Sequence, residues 1–239
     1  MKKEHSTFNV QHSAFNRAAA GRRAFTLIEL LTVIAIISIL AALLIPAGMA
    51  VRNKTTLNRV QGELAMVRQA IETYKIDKGF YPPDNRLASG VVRPYPNALY
   101  YELTGANINA ARNAFTNLTS GEVVNVGQLN AAFGASGINN AGIAGNTEGL
   151  VAKNYLPEIK NSQYLGVSIL AGGLRVLGTI VDGPFMYSGA GGAQINPFRY
   201  VSSNPTNNPS SFDLWVDVVV GGKTNRISNW SDKPESTAN

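Results

Sequence analysis

From residue 25 to residue 45 the chain is apolar on every side, and Glu29 is the single charge in the run. These 21 residues, at about 1.5 Å each, make a helix just long enough to cross a hydrocarbon core of roughly 30 Å. An ionised acid near the bilayer centre costs roughly 2.5 to 3.5 kcal/mol on insertion scales, so Glu29 calls for a partner or a task. Past Pro46 the pattern becomes one-sided. Leu57, Val60, Leu64, Val67, Ile71 and Tyr74 recur at spacings of three and four, a stripe along one helix face, while Arg59, Glu63, Arg68, Glu72 and Lys75 take the others. This predicts an amphipathic helix over 47–79, loosened at 46–48 and packed on a globular domain. A coiled-coil seam would use the same spacing over more positions than these. Gly79 and Pro82-Pro83 end the helix, the glycine by accepting a left-handed conformation and the prolines by breaking the ladder.

Between about 85 and 196 the sequence is rich in Gly, Ala and Asn and weakly patterned. Residues 98–103 read as a short helix stopped by Gly105, 118–149 as loop, and Gly189-Ala190-Gly191-Gly192 as a turn without the lysine of a phosphate loop. Strand signals gather at 174–181, 198–202, 212–220 and 226–230, where β-branched and aromatic residues alternate with Gly, Pro and Asn breaks. Turns fall at 204–211 and at Gly221-Gly222-Lys223. A small antiparallel sheet over about 174–230, laid on the helical stripe, would bury both apolar faces in an α+β arrangement.

The chain has no cysteine, which removes disulfides and thiolate metal sites. Both histidines, His5 and His12, precede residue 25, so a chain starting there has no Ser/His/Asp triad, no Cys/His pair and no histidine zinc site. No catalytic set is recognisable and no enzyme is expected. Of the formal charge of +6, Lys2, Lys3, Arg17, Arg22 and Arg23 against Glu4 supply most within residues 1–24. The remainder holds no dense basic patch, so nucleic acid is not an expected partner. Arg17, Arg22 and Arg23 before the apolar run are balanced by Arg52, Lys54 and Arg59 after it, so flanking charge leaves orientation open.

Gly21-Arg22-Arg23-Ala24 followed by Phe25-Thr26-Leu27-Ile28-Glu29 resembles the processing site of type IV prepilins and type II secretion pseudopilins. The resemblance implies a leader over 1–24, cleavage by a prepilin peptidase between Ala24 and Phe25, N-methylation of Phe25, and a role for Glu29 in assembly. Ala24 stands where the family usually has Gly. Pro46, 21 residues after Phe25, is similar to the proline at the periplasmic end of the family's membrane helix. Other export signals fit less of the pattern: Arg22-Arg23-Ala24-Phe25 looks like part of a twin-arginine signal, and Ala47-Gly48-Met49-Ala50 like a signal-peptide cleavage region, but neither needs Glu29. A plain membrane anchor is the remaining alternative.

Tyr74-Lys75-Ile76-Asp77-Lys78-Gly79-Phe80-Tyr81-Pro82 is similar to the stretch that ends the long helix of the major pseudopilin, and Asn196-Pro197-Phe198-Arg199-Tyr200 with Phe212-Asp213-Leu214-Trp215 to its C-terminal strands. Many of those proteins bind calcium in the following loop. Here that loop reads Gly-Gly-Lys-Thr-Asn-Arg-Ile, without a carboxylate, whereas calcium takes roughly six to eight oxygen ligands. No cofactor is therefore expected, and Asp213 and Asp217 are weak metal candidates, read instead as solvating Trp215 or meeting a neighbouring subunit.

The resemblance implies a pilin-like fold: a 25–46 transmembrane and filament-core helix, a 47–79 amphipathic helix, and an 80–239 globular domain carrying an insertion at about 85–196. The expected function is a structural pseudopilin of a type II secretion-like filament, whose partners are prepilin peptidase, copies of itself and other pseudopilins, the inner membrane and the secretion assembly platform. The expected location is the bacterial inner membrane, single-pass, with the C-terminal domain periplasmic and the assembled filament in the periplasm or at the cell surface. Alternatives are a type IV pilin for adhesion, motility or DNA uptake, many of which close a C-terminal loop with a disulfide this chain cannot form, and a membrane-anchored binding module.

Overall fold

A computed structural model of the chain describes residues 25–86, 90–145, 149, 151–170 and 172–237. The expected leader, Ala24 included, lies outside the described residues. The chain divides into two compact units, 1–47 and 48–239, and helix α1 (Leu27–Lys78, 52 residues) contributes to both.

In the first unit, residues 25–47 are exposed throughout, including Phe25, Leu27, Ile34, Ile37 and Leu44. An 18-residue window of α1 reaches a mean hydropathy of 2.8 with none of its side chains buried. A helix apolar on all sides and uncovered by its own protein needs another apolar environment, and this one has the length to span a membrane. Thr32 and Ser38 return their hydroxyls to the ladder: Thr32 Oγ1 donates to Glu29 O at 2.9 Å and Ser38 Oγ to Ile34 O at 2.7 Å. The expected loosening at 46–48 is absent. Helix continues through Pro46 and Gly48, because a proline removes one N–H while the flanking i to i−4 bonds can persist.

In the second unit α1 buries Val60, Leu64, Val67, Ala70, Ile71 and Tyr74 in the core. The stripe is therefore a packing face and not a zipper seam, with Leu57 half-buried at its margin. Gly79, at φ +84°, donates to Lys75 O at 2.8 Å and ends the helix.

A two-stranded ribbon, β1 (Asn85–Arg86) and β2 (Val92–Arg93), follows. Helix α2 (Leu99–Thr104) is buried along its whole length and stops at Gly105. The 118–149 stretch, expected as loop, contributes instead to a four-stranded sheet ordered β5-β4-β3-β6: β3 (Ala106–Ile108), β4 (Ala114–Asn117), β5 (Val123–Asn125) and β6 (Ala141–Gly142), with β6 parallel to β3. Helix α3 (Val126–Phe133) intervenes, opened by a reciprocal cap between Asn125 and Gln128 and closed by left-handed Gly134. A second sheet runs β7-β8-β10-β9: β7 (Tyr164–Gly166), β8 (Arg175–Thr179), β9 (Tyr187–Ser188) and β10 (Gln194–Pro197).

The third sheet is ordered by chain position: β11 (Arg199–Val201), β12 (Asp213–Val220), β13 (Lys223–Ser228) and β14 (Glu235–Ser236), antiparallel throughout. Leu214, Val216 and Val218 on alternate positions of β12, with Ile227 of β13, enter the same apolar core as the α1 stripe. Val220 pairs with Lys223 across a two-residue turn, Gly221-Gly222, at φ +63° and +74°. Such turns need two positive φ angles, which explains why strand begins at Lys223 and not at 226 as the sequence predicts. The α+β class holds. The single small sheet expected is instead three four-stranded sheets and a ribbon, because the region read as an insertion builds two of them.

Candidate functional site

The helix start assembles the most specific local geometry in the first unit. Thr26 precedes the first turn of α1 and Glu29 lies three residues on, the spacing at which a threonine and a glutamate cap each other. Glu29 N donates to Thr26 Oγ1 at 3.2 Å. In return, Thr26 N and Thr26 Oγ1 each donate to Glu29 Oε2 at 2.8 Å. A carboxylate at this position also opposes the positive end of the helix macrodipole. Both returned bonds fall on one oxygen, so Oε1 keeps its capacity to accept. Phe25, immediately before the box, is 82% exposed. Of the predicted processing and assembly residues, the structure places Glu29 two positions past the helix start with its side chain turned back onto Thr26. Ala24 lies outside the described residues.

Thr26 is a functional residue that the charge pattern alone does not reveal, although Thr-x-x-Glu before an apolar run is itself the pattern of a capping box. The threonine holds the carboxylate in place, and the carboxylate satisfies an N–H that hydrocarbon would leave unpaired.

Asp213 and Asp217, the weak metal candidates, are both buried. Asp213 Oδ2 accepts from Thr206 N and Asn207 N at 2.9 Å and from Asn207 Nδ2 at 3.0 Å, and its Oδ1 accepts from Asn208 N at 2.9 Å. Asp217 accepts from Arg226 Nε at 2.8 Å and Nη2 at 3.2 Å, and Arg199 Nη1 lies 3.3 Å from its Oδ2. Hydrogen bonding to Asp217 raises the Arg226 guanidinium, while burial lowers that of Arg199, which also sits over the rings of Tyr95 and Phe185 at 5.3 and 5.6 Å. The two acids are thus structural anchors. Loop 206–208 covers Asp213, which lines a cleft together with Trp215, and two arginines cover Asp217. Among the described residues, no group of three His, Cys, Asp or Glu stands together in a way that could hold a metal.

A buried acid that the sequence reading did not single out ties α1 to the globular core. Glu102 of α2 is fully buried; its Oε2 accepts from Tyr74 Oη of α1 at 2.9 Å and from Asn140 N at 3.1 Å, and its Oε1 from Asn139 N at 2.8 Å. Burial raises its carboxyl above the usual range against the pull of these three bonds. The tyrosine hydroxyl is raised in turn, chiefly by burial and then by the Glu102 charge beside it, whereas its own hydrogen bond lowers the Glu102 carboxyl.

A helix long and apolar enough to span a membrane, with an acid-capped start and leading into an α+β domain, defines a class: a pilin-like α+β protein with a single apolar N-terminal helix. The comparisons give the family. The prokaryotic N-terminal methylation motif matches residues 20–45. Fimbrial protein EcpB of Eikenella corrodens is 35% identical over 118 residues, 49% of this chain and 72% of that protein. Type II secretion system core protein G of Klebsiella michiganensis is 33% identical over 87 residues, 35% of this chain and 61% of that protein, and the type IV major alpha-pilin of Moraxella bovis is 49% identical over 51 residues, 21% and 32%. The chain spans about half the length of the type II secretion relatives that it matches. No solved structure matches it. The chain belongs to the type IV pilin-like family, which carries the prokaryotic N-terminal methylation motif.

Proposed function

We propose that this protein is a filament subunit of the pseudopilin kind, cut between Ala24 and Phe25 by a prepilin peptidase, methylated on Phe25, held in the inner membrane by residues 25–46 with its C-terminal domain in the periplasm, and assembled through that helix as part of a type II secretion-like system. The observation that carries the reading is Glu29: an acid fixed by Thr26 at the head of an otherwise apolar, uncovered helix. Its free oxygen would take the positive amine of Phe25 on its own or an adjacent subunit, which offsets part of the cost of burying both charges in a dry filament core. A secretion role is supported by the core protein G relatives and by the absence of cysteine. The pilus alternative draws on the fimbrial relative, which this chain covers more fully.

Two measurements test it. Intact mass and N-terminal sequencing of membrane-extracted protein are expected to give an N-methylated Phe25 start; an uncut leader or a start at Val51 would overturn the processing step. Glu29→Leu is expected to insert and to be cut, since the leader is intact, yet to lose most of the sheared or secreted filament obtained at matched membrane levels of wild type and of a Ser38→Leu control. Equal yield from Glu29→Leu would refute the pairing. Exoprotein retained in the periplasm of a deletion strain favours secretion, and loss of surface attachment with normal export favours the pilus.

A further inference from the structure

A cleft of about 830 Å³ lies where the β1–β2 ribbon meets strands β11 and β12 and the loop that joins them. Its volume is in the range of pockets that hold small organic ligands. Half-buried Trp215 is part of its lining, and the Trp230 ring packs on it in a T-shaped contact with centroids 5.7 Å apart. The lining also includes Asn204, Thr206 and Arg86, whose side chains make no hydrogen bond among the described residues.

The loop bearing Asn204 and Thr206 is fixed by two carboxylates, one on either side. Asp84 Oδ2 accepts from Ser202 N at 2.9 Å, from Ser203 N at 2.8 Å and from Ser203 Oγ at 2.6 Å. Asp213 accepts from the three backbone N–H groups of 206–208. Six bonds to charged acceptors thus immobilise a short loop before any ligand arrives, and a loop already ordered spares the binding step that entropy. The acids are spent on the loop; the Asn204 amide and Thr206 hydroxyl that it carries, and the Arg86 guanidinium of β1, are unspent.

We propose that this cleft binds an oligosaccharide, with one pyranose ring on the face of Trp215 and its hydroxyls bonded by Asn204, Thr206 and Arg86. A pyranose has an apolar C–H face and a rim of hydroxyls that both donate and accept. An indole face is electron-rich and attracts the C–H side, and an Asn amide offers donor and acceptor together. Other ligand classes suit the cleft less well. An apolar ligand would leave the polar rim unpaired, and a nucleic acid would meet a single cation, Arg86. A cation would find Asp213 already saturated. The site is separate from the N-terminal helix and stands whether or not the chain forms filaments.

The test uses the full chain in a sugar-free zwitterionic detergent, titrated with cellotetraose, chitotetraose, maltotetraose and tetragalacturonate while saturation-transfer NMR and tryptophan emission are followed. Trp215 and Trp230 are the two tryptophans of the chain, so emission reports on the cleft. At least one saccharide is expected to give a saturable change, and the neutral and acidic arms tell whether Arg86 pairs with a hydroxyl or with a carboxylate. Asn204→Ala combined with Thr206→Ala is expected to weaken binding about ten-fold, the worth of a hydrogen bond or two, with melting temperature and filament yield unchanged because both side chains are exposed. Trp215→Leu is expected to abolish it. No saturable change with any of the saccharides, or affinity unaltered in the double variant, overturns the proposal.

Discussion

Asp213 shows how a side chain that looks available in a sequence can be fully committed in a fold. Each of its oxygens already accepts from the 206–208 segment, so a calcium ion could take it only by releasing that loop. Two outcomes are expected. Calcium and a chelator should leave the melting temperature of the protein the same, since a ligand bound by the folded state alone would raise it. Asp213→Asn should cost about 1 to 3 kcal/mol in urea unfolding, because an amide nitrogen would turn a donor toward backbone donors. Glu29 is the contrasting case at the same scale. An acid inside an apolar run stands out in the sequence by its cost alone. Its grip on Thr26 needed the helix start to be located, since a capping box means something only where a helix begins.

Among the elements, α2 and the strands after it depend on one backbone position. Gly105 has φ +73°, and a Cβ there would lie 2.9 Å from Lys153 O and 3.0 Å from Asn140 Nδ2. Gly105→Ala is therefore expected to destabilise the domain by about 1 to 3 kcal/mol, read from chemical denaturation, with unchanged membrane insertion. The same neighbourhood explains what the sequence conceals. The α1 stripe and β12 announce themselves because apolar residues repeat at the helical or strand period. Strands β3 to β6 run two to four residues each and are tied by polar side chains. Asn117 donates to Thr104 Oγ1 and Gly105 O and accepts from Thr119 N and Ser120 N. Asn140 bridges Glu102 O to both backbone groups of Lys153. Asparagines in such places read as loop, since their partners lie far along the chain and no period betrays them. The turn at Gly221-Gly222 was legible for the opposite reason: two glycines between β-branched runs carry their own geometry.

For the molecule as a whole, Glu102 gives stability a particular dependence on pH. Its carboxyl is raised above the ordinary 4.5 in the folded protein, so its contribution is complete below that value and is lost as pH rises through the folded value. Glu102→Gln removes this titration and sets an amide donor against the Asn139 or Asn140 N–H. The variant is expected to melt lower than wild type, and the gap between the two is expected to narrow as pH is raised from about 4.5 toward neutrality. A gap that widens over that interval would reverse the sign assigned to this acid.

The Tyr74–Glu102 bond also has a mechanical meaning. If subunits are drawn out of a membrane by their helices, the pull reaches the globular domain through the part of α1 beyond Gly48. Six buried side chains resist it together, sliding against the core in shear, and the tyrosine at the far end is pinned to an acid on another helix. Such a joint gives way all at once and not by peeling one residue at a time. Single-molecule traction on the helix should therefore show one rupture, at a lower force in Tyr74→Phe, which keeps the ring and removes the pin.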